Sequence, residues 1–279
     1  MNVDQFHGIE IEEFPAQIAQ VAMWLVDHQM NQAISDEFGH YYARLPLTIS
    51  AHIVHGNALR MEWNDVVPSE RLTYMLGNPP FVGSKFLDEA QRDDAARVFA
   101  GIKDGGVLDF VAAWYVKATP YIHGTSIRCA FVSTNSITQG EQVGALWTWL
   151  LGQGVKIHFA HRTFRWSNEA AGVAAVHCVI VGFAMAEPEK RTIYDYDDPK
   201  GEPHALVVGN INPYLVDAAD VVLSRRDHPI CPVPEIGIGN KPIDDGNFLF
   251  SAEEKDEFLK VEPTAARFFK RFWGADDFL

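Results

Sequence analysis

Apolar positions recur along the chain in two rhythms, one of period two and one of helical period. "VDQFHGIEIEEF" opens with a strand-like alternation at Phe6, Gly8 and Ile9, Ile11. Pro15 then starts a helix whose Ile18, Val21, Ala22, Leu25 and Val26 share one face. "TISAHIVHGNAL" predicts a short strand ending near His55, and "LTYML" predicts a further, buried one. After a polar stretch, Asp109 caps or begins a helix to about Lys117, with Val111, Ala112, Tyr115 and Val116 on its buried side. "IRCAFVST" is a strongly apolar strand, and "EQVGALWTWLLGQ" is a helix that Gly154 closes. "VKIHFA" and "AAVHCVIVGFA" add two strands, linked by "HRTFRWSNEAAG". Strands alternating with helices predict an α/β layer fold with a mostly parallel sheet. The last two strands predict an antiparallel hairpin at one sheet edge.

The pattern changes after Ala186. "EPEKRTIYDYDDPKGEPHA" reads as a linker with one strand, and prolines and glycines then dominate up to Asn247. Ser251 and Glu254 form a capping box, and an aromatic helix around "ARFFKRFW" follows Pro263. Residues 1–186 therefore read as one domain, and residues 187–279 as a linker with the beginning of another.

Composition adds bounds. With 279 residues, 47% of them hydrophobic, the chain can bury a substantial core. It has no apolar run of about 18 residues and no signal-peptide layout at its start. Three cysteines make no disulfide framework: Cys129 and Cys178 lie in apolar runs and Cys231 in a proline-rich loop. The cytoplasm is the natural compartment. A net charge of -14 runs against a generic nucleic-acid binder, which carries a basic surplus.

The candidate chemistry lies in "LTYMLGNPPFVGSKF", where Asn78, Pro79, Pro80 and Phe81 directly follow a strand. Such residues also make ordinary turns. Their order suits a harder task, gripping a planar amino group. The exocyclic amine of adenine is a poor nucleophile because its lone pair is delocalised into the ring. Two acceptors on its N–H groups, the Asn78 side-chain oxygen and the Pro79 carbonyl, draw the nitrogen toward tetrahedral geometry, and the prolines hold that carbonyl rigid. Phe81 can stack on the base, which must first leave the duplex.

"GNPPF" after "LTYML" resembles the catalytic motif of class I S-adenosylmethionine-dependent amino-methyltransferases. "GIEIEEFPAQIAQVAMWL" is similar to that family's cofactor segment, which implies that Glu10, followed by Ile11, bonds the ribose of S-adenosylmethionine. "HGNAL" is similar to the next segment. It places Asn57, followed by Ala58, where the family holds the cofactor's adenine amine, usually with Asp. "FVSTNSITQGEQV" and "FRWSNEAAGVAAVHCVIVGF" resemble later segments of large bacterial adenine-N6 DNA methyltransferases, including fused restriction–modification enzymes. The motif order resembles the gamma class, in which a target-recognition domain follows. The resemblance thus implies a Rossmann-like methyltransferase sheet with a terminal β-hairpin, then the beginning of a C-terminal target-recognition region. It implies double-stranded DNA with a flipped adenine as partner, and Phe164 or else Trp166 as the aromatic packed on that base.

The family's glycine-rich turn normally lies about 20 residues before the ribose acid. Here that acid is the tenth residue, and neither Gly105-Gly106 nor Gly237-Ile238-Gly239 follows a suitable strand. The chain is expected to lack the first strand of its sheet and the glycine-rich loop, and to be inactive alone. The strands ending at Ile11 and Leu76 are then expected either to close up or to accept a substitute strand. Lys85, Arg92, Arg162 and Arg165 are candidates for phosphate contacts. The pairs His52/His55 and His158/His161 lack companion ligands and read as structural, with no metal expected. A protein-glutamine methyltransferase needs the same two acceptors, and a non-catalytic module of the same fold is the reading from another class.

Overall fold

The computed structural model describes residues 2–39, 49–166, 176–224, 226, 228, 231–233 and 246–272. It contains two compact units, Met1–Arg225 and Arg226–Leu279.

In the first unit, β1 (His7–Glu10) and β2 (His52–His55) form a two-stranded parallel sheet. A second sheet has six strands in the order β3-β4-β6-β5-β7-β8. These are β3 (Tyr74–Gly77), β4 (Arg128–Thr134), β5 (Lys156–Trp166), β6 (Val176–Ala184), β7 (Arg191–Asp195) and β8 (His204–Val208). The sheet is mixed rather than mostly parallel. β3 pairs with β4 and β5 with β7 in parallel, while β6 runs antiparallel between β4 and β5, and β7–β8 is an antiparallel edge hairpin. The segment read as a linker with one strand thus supplies two, and β5 absorbs "HRTFRW".

The strands ending near Ile11 and Leu76 do not close up. Among the described residues, β1 pairs only with β2 and β3 only with β4. Nor is β3 buried on both faces, since Tyr74 is 60% and Leu76 78% exposed.

Helix α1 (Glu13–Phe38) begins two residues before Pro15. Its apolar face is uncovered among the described residues, with Ile18, Val21, Leu25 and Val26 exposed and only Ala16 buried. α2 (Trp63–Val66) and α3 (Glu89–Val98) follow β2 and β3. α4 (Ala112–Ile122) starts three residues after Asp109, so Asp109 is not its cap. α5 (Gly140–Gly152) ends as expected, with Gly154 left-handed at φ 88° just beyond it.

α4 brings Tyr115 onto Phe131 of β4 and Phe183 of β6, and Trp147 of α5 meets Tyr115 at 6.3 Å. Tyr115 meets Phe131 edge-on at 5.2 Å and stacks on Phe183 at 5.2 Å. Each ring contributes about 1.5–3 kcal/mol by burial. The Tyr115 hydroxyl bonds Ser133 Oγ at 2.8 Å, and burial pushes its acidity well out of the usual range. Burial likewise pushes the Cys129 thiol up to about 12 and that of Cys178 to about 11, so both stay protonated and inert.

In the second unit, α6 (Ala252–Val261) carries the expected capping box from Ser251 to Glu254. The expected aromatic helix is a short 3-10 turn over Pro263–Phe268. No helix among the described residues is long and apolar enough to cross a membrane.

Candidate active site

The catalytic candidate leaves β3 at Gly77, where there is little room for a side chain. A Cβ on Gly77 would stand 3.0 Å from the Phe131 ring, which the aromatic core holds in place. Gly77→Ala is therefore expected to push the turn rather than the ring. Overpacking of this kind costs about 1–3 kcal/mol and several degrees of Tm. Thermal unfolding checks it, and an unchanged Tm would show that the ring yields.

Beyond Gly77, Pro79 is buried and Pro80 exposed, while Phe81 is half-buried against the core. Asn78 is exposed, and its amide makes no hydrogen bond to a described residue. An amide left open beside two rigid residues is ready to bond something else.

Asp109 fixes the far side of the turn. Its Oδ1 accepts from the Ser84 N–H at 3.0 Å and its Oδ2 from the Ser136 hydroxyl at 2.6 Å. The adjacent Phe110 N–H donates to the Val82 carbonyl at 2.9 Å. One carboxylate thus ties the loop after Phe81 to the end of β4. Sequence reading assigned Asp109 to a helix start and missed this role. No local signal could have found it, because both serine partners are distant in sequence.

The residues expected to hold the cofactor gather at the C-terminal ends of β1 and β2. Glu10 ends β1 opposite His55, and the Gly56 N–H donates to the Glu10 carbonyl at 2.8 Å. The Glu10 carboxylate is half-buried and accepts from the Glu12 N–H at 3.3 Å. His55 Nε2 donates to the Ile11 carbonyl, and Trp63 Nε1 donates to the Ala58 carbonyl. Asn57 donates from Nδ2 to Asp94 of α3 at 2.7 Å and accepts the Leu59 N–H on Oδ1 at 2.9 Å. Lys117 of α4 donates to the Leu59 carbonyl at 3.1 Å, and burial pulls its ammonium below the usual range. Asp94 and Lys117 bond this segment to helices that pack beside the six-stranded sheet.

Phe164 and Trp166 lie at the end of β5. That strand runs parallel to β3 and β4, so its C-terminal end shares a sheet edge with Gly77. Thr134, Cys178 and Phe164 stand in one row of the ladder. β5 lies three strand spacings from β3, about 14 Å. A bulge between His161 and Phe164 makes β5 advance three residues while β6 covers two, which leaves both rings on one face at 6.4 Å. Phe164 is half-buried with one face stacked on Tyr196 at 5.5 Å. Trp166 pairs with Val176 at the start of β6, and residues 167–175 of the quoted motif lie outside the described ones.

Of the candidate basic residues, Lys85, Arg92 and Arg165 are exposed, while Arg162 pairs with Asp195 at 2.7 Å. The four histidines stand on β2 and β5. His52 stacks on His7, His158 bonds the Ala186 carbonyl and His161 bonds Tyr196. Burial lowers His158 and His161, favouring neutral rings.

Residues 1–195 match the family described as "MmeI, DNA-methyltransferase domain". The chain belongs to that family. Residues 217–279 match the MmeI target recognition domain. A solved structure described as the Type IIL restriction-modification enzyme MmeI in complex with DNA is 57% identical, with a TM-score of 0.90. That match covers all of this chain and 37% of the other. "DNA methyltransferase A" of Bacillus subtilis (strain 168) is 38% identical over 283 residues, covering all of this chain and 32% of its own length. The chain thus spans about a third of these relatives. As in MmeI-type chains, a mixed α/β methyltransferase sheet is followed by a target-recognition region.

Proposed function

We propose that this chain carries the catalytic part of an adenine-N6 DNA methyltransferase of a restriction–modification type. The observation that carries the proposal is the open Asn78 amide on a turn held by Gly77 on one side and Asp109 on the other. Its substrate is adenine flipped out of double-stranded DNA. S-adenosylmethionine, when bound, supplies an electrophilic methyl group. The donor set fits that cofactor, since a carboxylate ends β1 for ribose hydroxyls and an amide oxygen follows β2 for an adenine amine.

Asn78 Oδ1 and the Pro79 carbonyl each accept one N–H of the target amine. They concentrate its lone pair on nitrogen, which would then be ready to take the methyl group that the cofactor supplies, and the methylated amine would lose its extra proton to water. Because the prolines fix the Pro79 carbonyl before the reaction, little reorganisation of that acceptor is left for the transition state. Phe81 and Phe164 cover the faces of the base, with Trp166 as the reserve. We take the catalytic region to run through β8, because β7 and β8 continue its sheet past residue 186. The natural compartment is the cytoplasm, in keeping with three free cysteines.

Labelled methyl groups should appear as N6-methyladenine in DNA when a form extended to the relatives' length is supplied with labelled cofactor. Label on protein glutamine, or on nothing, overturns the reading. Replacing Phe81 or Phe164 with Ala should weaken binding to DNA carrying a mismatched target base, by about 1–3 kcal/mol per ring. Equilibrium binding, run beside thermal unfolding, measures this. Unchanged affinity in both variants would assign the two rings to packing.

A further inference from the structure

We propose that Asp94 is a positioning residue that turns Asn57 into a one-way acceptor, so that the cofactor site selects an amine at position 6 of the purine. The proposal rests on the reading of Asn57 given above and adds to it a residue outside the cofactor segments. Asp94 lies on α3, ten residues beyond Ser84, and is 3% exposed. Its Oδ2 accepts from Asn57 Nδ2 at 2.7 Å and its Oδ1 from Arg60 Nε at 2.6 Å. An ionised carboxylate can only accept, so the Asn57 atom facing it must be the amide nitrogen. The Leu59 peptide N–H can only donate, so the Asn57 atom facing it, at 2.9 Å, must be the oxygen.

Two independent neighbours therefore select the same amide orientation. A carbonyl oxygen has two lone pairs, and Leu59 uses one. The other is left for a ligand. A freely turning amide would serve an amine or a carbonyl equally well. Held by Asp94, Asn57 offers only an acceptor, which an adenine N6–H satisfies and an inosine O6 does not. A neutral side chain thereby presents what an aspartate would, while the negative charge stays buried on α3 against Arg60.

The geometry prescribes a reciprocal exchange. In Asp94→Asn alone, Arg60 holds the new amide's oxygen, so its nitrogen confronts the nitrogen of Asn57. Asn57 must then turn or lose its partner. Adding Asn57→Asp repairs every contact: Asn at 94 donates to Asp at 57, whose other oxygen faces Leu59 and the ligand. The exchange keeps the total charge.

The test measures, by titration calorimetry, the affinity ratio of S-adenosylhomocysteine to its inosine counterpart in a form extended to the relatives' length. One hydrogen bond replaced by an unpaired, opposed pair makes the wild-type ratio about tenfold or more. Asp94→Asn should bring the ratio close to one, and the double exchange should restore it. A purely structural role for Asp94 predicts instead that both affinities fall together with the ratio intact, which overturns the proposal. If Asn57→Ala leaves the ratio unchanged, the reading of Asn57 itself is wrong and the proposal goes with it. Should Asp94→Asn fail to fold, Asp94→Ala is measured in its place: a lowered ratio supports the assignment, and an intact ratio overturns it.

Discussion

Replacing Asn78 with Ala is expected to remove methyl transfer and to leave stability and cofactor affinity nearly unchanged. The Asn78 side chain is exposed and bonds no described residue, so truncating it opens no cavity and orphans no buried partner. What it would lose, on the function proposed above, is an acceptor used as the target nitrogen becomes tetrahedral. Interactions that strengthen only in the transition state are lost from kcat rather than from ground-state binding. Loss of one such fixed polar group costs about 10²–10³ in rate, and here the remaining Pro79 carbonyl cannot localise the lone pair alone. Labelled-methyl incorporation measures the rate, with calorimetry for cofactor affinity and a melt for stability. Turnover near wild type in the variant would sink the assignment of the turn.

The second large effect concerns the 279-residue chain by itself. Titrated with S-adenosylmethionine, it is expected to bind very weakly or not at all, and to show no turnover. The groups assigned to ribose and adenine end β1 and β2, while the acceptor turn ends β3, and no ladder joins those two sheets among the described residues. Asp94 and Lys117 link the two sides through side chains only. Neither does a glycine-rich turn follow a strand among the described residues, where backbone could approach the methionine end closely. Gly105 and Gly106 lie in a 3-10 turn before α4. Calorimetric binding at about micromolar affinity, roughly −8 kcal/mol, would show that the cofactor groups are misassigned.

Much of this architecture was legible in the residue pattern, for reasons that differ from element to element. "IRCAFVST" reads as a strand because its apolar run is buried in the sheet, and β4 is that strand. "GNPPF" was legible because proline, glycine and asparagine restrict the backbone locally, whatever surrounds them. β3 was misread as buried because "LTYML" is mostly apolar, and an apolar run does not say how many faces are covered. Asp109 was misread because an acid just before a helical pattern is usually a cap. Its actual partners, Ser84 and Ser136, lie about 25 residues away on either side, and pairings at that range are invisible to local pattern. The mixed sheet was hidden for the same reason: β6 inserts between β4 and β5, and only tertiary register reveals where a strand lies.

The bulge in β5 lets the strand carry one residue more than its partner without turning Phe164 over. Strand faces alternate residue by residue, so three plain steps from His161 would put Phe164 on the opposite face, and the bulge returns it to the row of Cys178. Losing either Arg162 or Thr163 would make the count on β5 equal to that on β6, and Phe164 would still stand opposite Cys178 on the face of His161. At this place the strand can drop a letter and still spell the same face.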